Sequence, residues 1–217
     1  MPMVRSAALA VALVFSFSAF GATLTVTSTA DVLDGSDGLC TLREAVIAVN
    51  TASPSGVVAG ECPGGDGLSD EIVLTSASYG LSIGGTQEDL GATGDLDVLQ
   101  DVVIRGVGTD DTAVRNEADD RVFHIAASAV VTLSDMTIRD GRSSLEPSRR
   151  GTGIRNDGDL TVERCLITEN IGPQVPGAGI WNGNTLRVYD SSITNNQSGG
   201  EGSGGGPDTG RCPRKEG

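Results

Sequence analysis

An internal repeat near the C-terminal end limits what this chain can fold into more than any other feature. The segment beginning at Gly153, GIRNDGDLTVERCLITEN, is restated in the segment beginning at Gly179, GIWNGNTLRVYDSSITNN. Ile154, Asn156, Leu160, Val162, Ile167 and Asn170 fall on Ile180, Asn182, Leu186, Val188, Ile193 and Asn196, a constant offset of 26. A third copy lies upstream in IAASAVVTLSDMTIRD, where Ile125, Val131, Leu133 and Ile138 precede Ile154, Leu160, Val162 and Ile167 by 29. Self-similarity at such a period marks a stacked solenoid.

Within each copy, Leu160-x-Val162 and Cys165-x-Ile167 alternate with period two, as half-buried strands do. Short strands broken by a polar corner at Glu163-Arg164 cannot form an amphipathic helix. They form two sides of a flattened coil with the apolar side chains inward. Stacking such coils pairs each strand in parallel with its equivalents, about 4.8 Å away. The pattern predicts an all-β, right-handed parallel β-helix of about four to five coils, the hand following the general preference of parallel crossovers. The coils are expected over residues 70–198.

The chain opens MPMVRSAALAVALVFSFSAFGA. Arg5, the apolar run Ala7 to Phe20, and small residues at −3 and −1 in Ala19-Phe20-Gly21 make a secretory signal over 1–21, with cleavage near Gly21 or Ala22. The run is short for a membrane span, and no later segment approaches that length, so no transmembrane segment is expected in the mature chain. Localisation is therefore expected to be secreted or cell-surface. Losing the leader removes Arg5 and no acid, leaving the mature chain more acidic than its formal net charge of −14. Such a surface excludes nucleic acid and anionic lipid as partners, and acidic polysaccharides unless cations bridge them. Three of the four Phe lie in the leader, so Phe123, Trp181, Tyr79 and Tyr189 are the remaining aromatic side chains.

After the leader, residues 22–69 hold one strand (ATLTVTSTAD), a loop and one convincing helix, CTLREAVIAVN. Thr41 with Glu44 makes a capping box, worth about 1 kcal/mol. Leu42, Ala45, Val46 and Val49 form a single apolar stripe. The first coil of a β-helix has an open apolar end and unpaired strand edges, and this helix is placed to cover both.

Cys40-Thr41-Leu42-Arg43-Glu44-Ala45 closely resembles the signature of the CSLREA domain, with Thr41 at the usual Ser. Asp70-Glu71-Ile72-Val73-Leu74 and Gly94-Asp95-Leu96-Asp97-Val98 are similar to that family's first coils. The resemblance spans Thr23 to Asn196 and implies a secreted or cell-surface bacterial protein with right-handed parallel β-helix repeats. It carries no catalytic residues. The Gly-x-Gly-Ile and Ile-Thr-x-Asn pieces are also loosely similar to repeats of polymorphic outer-membrane proteins.

Cys40 and Cys62 flank the helix, 22 residues apart. In an exported chain a disulfide between them closes the helix and its glycine-rich return loop, contributing roughly 3 kcal/mol; two free thiols are the alternative. Cys165 shares a column with Met136 and Ser191 and is expected to point into the core. Leu96, Val98, Val102 and Ile104 are expected to form the second coil, with one extra corner residue between Val98 and Ile104. VGTDDTAVRNEADD and SSLEPSRRGT are polar and expected to loop out of the stack. The tail over 199–217 fits either a naturally flexible end or the truncated or frame-shifted product of a longer chain.

The polar residues divide between structural and chemical roles. No catalytic set emerges. The single histidine, His124, lies between inward Phe123 and Ile125, so it faces outward as a surface side chain, and no cluster of Asp and His at a coil face is evident. Arg105 and Arg139 are expected at equivalent positions, and Asp135, Arg164 and Asp190 in one corner column as a short ion-pair ladder. Asn170 and Asn196 are expected to stack as an amide ladder. Trp181 and Tyr189 are candidate sugar-stacking platforms. Asp31, Asp34 and Asp37 crowd one loop and are the candidate calcium ligands, since hard cations favour oxygen clusters; no other cofactor is expected. The leading expectation is a non-catalytic exported module for adhesion or extracellular polymer binding. A polysaccharide lyase or glycoside hydrolase, and a structural spacer of a larger protein, are the alternatives.

Overall fold

The computed structural model describes residues 21–85, 88–142, 150–172 and 176–199. The leader short of Gly21, the tail past Gly199 and most of SSLEPSRRGT lie outside the described residues.

Strand β1 (Thr23–Thr25) and helix α1 (Leu42–Thr51) precede the coils. The first coil comprises β2 (Asp70–Val73), β3 (Ala77–Leu81) and β4 (Leu96–Val98). The second comprises β5 (Val102–Arg105), β6 (Thr112–Asn116) and β7 (Phe123–Ile125). The third comprises β8 (Val130–Ser134), β9 (Thr137–Arg139) and β10 (Ile154–Asn156). The fourth holds β11 (Asp159–Glu163), β12 (Leu166–Thr168), β13 (Ile171–Gly172) and β14 (Ile180–Asn182). A further coil starts with β15 (Thr185–Tyr189), β16 (Ser192–Thr194) and β17 (Gln197–Ser198).

Equivalent strands pair in parallel. The sheets run β1-β2-β5-β8-β11-β15, β3-β6-β9-β12-β16 and β4-β7-β10-β14, with a small β13-β17 pair beside them. The chain is a right-handed parallel β-helix of about four turns. Each coil has three faces rather than two sides. The additional face is the four-stranded sheet, whose strands are only three residues long and leave little alternation to read.

Inward side chains stack in columns. Leu24, Ile72, Ile104, Leu133, Val162 and Val188 lie in register along the six-stranded sheet. Val114, Ile138, Ile167 and Ile193 do so along the five-stranded sheet. All but Val188 and Ile193 are fully buried. Each buried Leu, Ile or Val contributes about 1.5–3 kcal/mol before chain entropy is subtracted.

Helix α1 lies against β2 and β4 at the open end of the stack. The capping box forms, with the Glu44 N–H donating to Thr41 Oγ1 at 3.2 Å and the Thr41 N–H to Glu44 Oε2 at 3.0 Å. Asn50 lies along the free edge of β4 as a strand would: its Nδ2 donates to the Asp97 carbonyl at 2.7 Å and its Oδ1 accepts from the Leu99 N–H at 2.9 Å. Cys40 and Cys62 form the disulfide, with Cα atoms 4.7 Å apart. Every residue of the six-residue motif is buried, Arg43 and Glu44 included.

Several expectations need correction. Thr112–Asn116 does not loop out but forms β6, with Val114 fully buried. Its inward neighbours are polar and bonded to the backbone: Thr112 Oγ1 donates to the Thr75 carbonyl at 2.9 Å and Asn116 Nδ2 to the Arg121 carbonyl at 2.8 Å, while Asn116 Oδ1 is buried without a partner. Arg105 lies opposite Ser134, whereas Arg139 lies on the next face opposite Arg115. Val98 shares a column with Ile125 and Asn156, and Ile104 one with Leu133 and Val162. The expected extra corner residue therefore disappears, since Val98 and Val162 belong to different faces.

The amide ladder forms, and the corner column forms with an ion pair between Asp135 and Arg164. Asp135, Arg164 and Asp190 occupy one corner in the left-handed region, with φ of 57°, 51° and 47°. Arg164 grips Asp135 with two hydrogen bonds of 2.6 and 2.7 Å. Asn170 Nδ2 donates to Asn196 Oδ1 at 2.9 Å, and Asn170 Oδ1 accepts from the Gly141 N–H at 2.9 Å. Gly153 is required beside this ladder, because a Cβ there would lie 2.4 Å from the Gly179 carbonyl oxygen and 2.8 Å from Asn170 Nδ2.

Candidate functional site on the four-stranded sheet

Strand alternation puts one outward side chain at the centre of each strand of the four-stranded sheet. In β4 it is Asp97, between Leu96 and Val98. In β7 it is His124, in β10 Arg155 and in β14 Trp181. The four are in direct register, Asp97 with His124, His124 with Arg155, and Arg155 with Trp181. Asp157 stands just past the end of β10.

The row is joined by close polar contacts. His124 Nδ1 lies 2.8 Å from Asp97 Oδ1, and His124 Nε2 lies 3.1 Å from Asp157 Oδ2. Arg155 Nε approaches the same Asp157 oxygen at 2.7 Å. Further along, the guanidinium carbons of Arg150 and Arg155 lie 5.1 and 5.8 Å from the Trp181 ring centroid, within the range of a cation–π contact. One end of the row is carboxylate and imidazole, and the other is guanidinium and indole.

Asp97 is wholly buried although it points outward, because the segment from Glu88 to Asp95 folds over β4. The Gly91 N–H donates to Asp97 Oδ2 at 3.1 Å. The Glu88 carboxylate gathers the N–H groups of Leu90, Ala92 and Thr93 at 2.6, 2.7 and 3.1 Å. The Gly94 N–H donates to the Ile83 carbonyl at 2.8 Å and closes the loop's stem. Burial pushes the Asp97 carboxyl above its ordinary range, against the hydrogen bond with His124, which lowers it.

The helix motif reaches this loop. Arg43 pairs with Asp31, its Nε 2.6 Å from Oδ1, and both side chains are almost fully buried. Its remaining donors meet the Gly91 and Gly94 carbonyls, each at 2.9 Å. A buried charge is tolerated only when paired and hydrogen-bonded, and Arg43 meets that requirement by anchoring the loop that covers Asp97.

The candidate calcium ligands are not brought to one point. Asp31 is committed to Arg43 and to the N–H groups of Ser82 and Ile83, at 2.6 and 2.8 Å. Asp34 accepts from the Ser36 N–H and hydroxyl, and Asp37 from the Leu39 N–H. Each carboxylate shapes its own loop. Among the described residues, the group with donor atoms suited to a metal ion is instead Asp89, Asp97 and His124, all within 4.8 Å of one another.

His124 also departs from expectation. It faces outward, but its side chain is only 12% exposed, enclosed by two carboxylates. A cluster of Asp and His at a coil face therefore exists. Of the candidate platforms, Trp181 belongs to this face, whereas Tyr189 lies on the six-stranded sheet opposite Glu163. Cys165 is buried, and burial pushes its thiol up to about 12, so it is an inert core side chain.

No family model matches the chain, and no curated protein or solved structure does either. Among the described residues, no helix is long and apolar enough to cross a membrane.

Proposed function

We propose that the chain is a non-catalytic, exported β-helix module of a bacterial secreted or surface protein, binding an extracellular carbohydrate polymer along the outer face of the four-stranded sheet. The observation that carries the reading is the Trp181 ring flanked by Arg150 and Arg155 at one end of an in-register row. An indole offers a broad apolar surface to the face of a sugar, and guanidinium groups reach hydroxyl or carboxylate oxygens. A row repeating at the coil interval suits a linear ligand running along the stack. The leader, the disulfide and the likeness of Cys40–Ala45 to the CSLREA signature support export.

Affinity electrophoresis against neutral and acidic polysaccharides tests this. Trp181→Ala is expected to weaken binding about tenfold without moving the melting temperature. Unchanged retention of that variant removes this face as the binding surface.

A second reading, a polysaccharide lyase or glycoside hydrolase, is favoured by one observation. His124 is oriented by buried Asp97 on one nitrogen while the other reaches Asp157, as a proton-transferring imidazole requires. New reducing ends or unsaturated products that vanish in His124→Asn would establish it over simple binding.

A further inference from the structure

Among the described residues, no cation meets one buried carboxylate of the first coil. Asp70 starts β2 with its side chain turned into the end of the stack, where the residue is 1% exposed. Its Oδ1 accepts from the Ala22 N–H at 2.7 Å and from the Asp66 N–H at 3.3 Å. Its Oδ2 is buried with no hydrogen-bond partner. Burial pushes this carboxyl up, the two backbone N–H groups pull it down, and neighbouring Asp66 adds to the rise. An ionised carboxylate in such a place calls for a positive charge.

We infer that signal processing supplies that charge: hydrolysis of the Gly21–Ala22 peptide bond leaves the new α-ammonium group of Ala22 on Asp70, an ion pair that locks the first coil of the exported chain. The inference rests on the export reading above. Two unrelated observations meet at the same bond. Ala19-Phe20-Gly21 carries small residues at −3 and −1, as a leader-cleaving protease requires. Ala22, one residue later, is already bonded into the fold: its carbonyl accepts from the Glu71 N–H at 2.8 Å and its nitrogen meets Asp70.

The chemistry is simple. Water adds across the amide, Gly21 leaves with the carboxylate, and Ala22 keeps the nitrogen as an amine, protonated near neutral pH. An amide nitrogen has one hydrogen to give, and it goes to Oδ1. An ammonium has three, so it serves Oδ1 and brings donors to the unpartnered Oδ2. Gly21 is itself tightly placed, since a Cβ there would lie 2.1 Å from the Ser69 carbonyl oxygen.

The test compares three preparations: protein exported by a bacterial host, a chain released from a fusion to begin at Ala22, and one beginning with an added Met before Ala22. Intact-mass analysis of the exported protein is expected to give Ala22 as the first residue. The chain beginning at Ala22 is expected to melt about 5 °C above the Met-extended chain. Asp70→Asn is expected to lower the former and leave the latter nearly unchanged, the non-additivity expected of a direct pair. A mature N-terminus elsewhere, or equal melting of the released and extended chains, overturns the inference. Retention of the leader by the host instead overturns the export reading, because the released chains examine the ion pair without export.

Discussion

Arg43 shows how much one side chain can hold. It pairs with Asp31 at the helix and grips the carbonyls of Gly91 and Gly94 in the loop over β4. Removing it strands Asp31, whose side chain is 2% exposed. Arg43→Ala is expected to cost about 3–5 kcal/mol, read from the urea midpoint. Arg43→Lys is expected to recover only part, because an ammonium cannot reproduce the planar fork. Asp135 makes a smaller, pH-dependent contribution. The hydrogen bonds from Arg164 hold its carboxyl below the ordinary 3.8. Its stabilisation is therefore full above that value and lost as the pH falls through the lower folded value. Half-exposed Arg164 keeps the effect small through solvent screening. Stability curves of the native chain and Asp135→Asn are expected to differ near pH 6 and converge as the pH falls below the ordinary carboxylate range.

Among the elements, the ladders behave as load-sharing strips between coils. Asn170→Ala leaves the Gly141 N–H without its partner and Asn196 Oδ1 with only the backbone N–H of residue 170, and is expected to cost about 2–3 kcal/mol. A melting temperature equal to that of the native chain would remove the structural role. This ladder was legible because Ile167 and Asn170 keep their spacing in Ile193 and Asn196. The six-stranded and five-stranded faces were legible for the same reason, from Leu133, Val162 and Val188 and from Ile138, Ile167 and Ile193. The candidate site was hidden by a single corner. Four residues, Ala126 to Ala129, turn the chain between β7 and β8, whereas Asp157 and Gly158 alone do so between β10 and β11. A constant offset of 29 therefore sets His124 against Gly153, when its neighbour is Arg155. The row of Asp97, His124, Arg155 and Trp181 emerges only once that corner is counted. Arg43 was equally hidden, since its sequence position places it on a helix and says nothing of the loop it meets.

Across the whole molecule, burial falls along the stack. Ile104, Leu133 and Val162 are fully enclosed, while Ile180 at the end of the fourth coil and Leu186, Val188 and Ile193 in the outermost described coil are only partly buried. In a solenoid each coil is stabilised by its neighbours alone, so a coil with one neighbour opens first. Amide hydrogen exchange is expected to be faster throughout β14, β15 and β16 than in β5 and β8. Equal protection across those strands would mean that the stack opens as one unit.

The contact from the Gly94 N–H to the Ile83 carbonyl separates two kinds of evolutionary freedom. The overhang from Glu88 to Thr93 lies beyond this stem, so its length can change while the ladder beneath keeps its register. Lengthening a closed loop costs little, about 0.6 kcal/mol per doubling. Substitutions in this overhang can therefore reshape what covers Asp97 and His124 without asking the coils to refold.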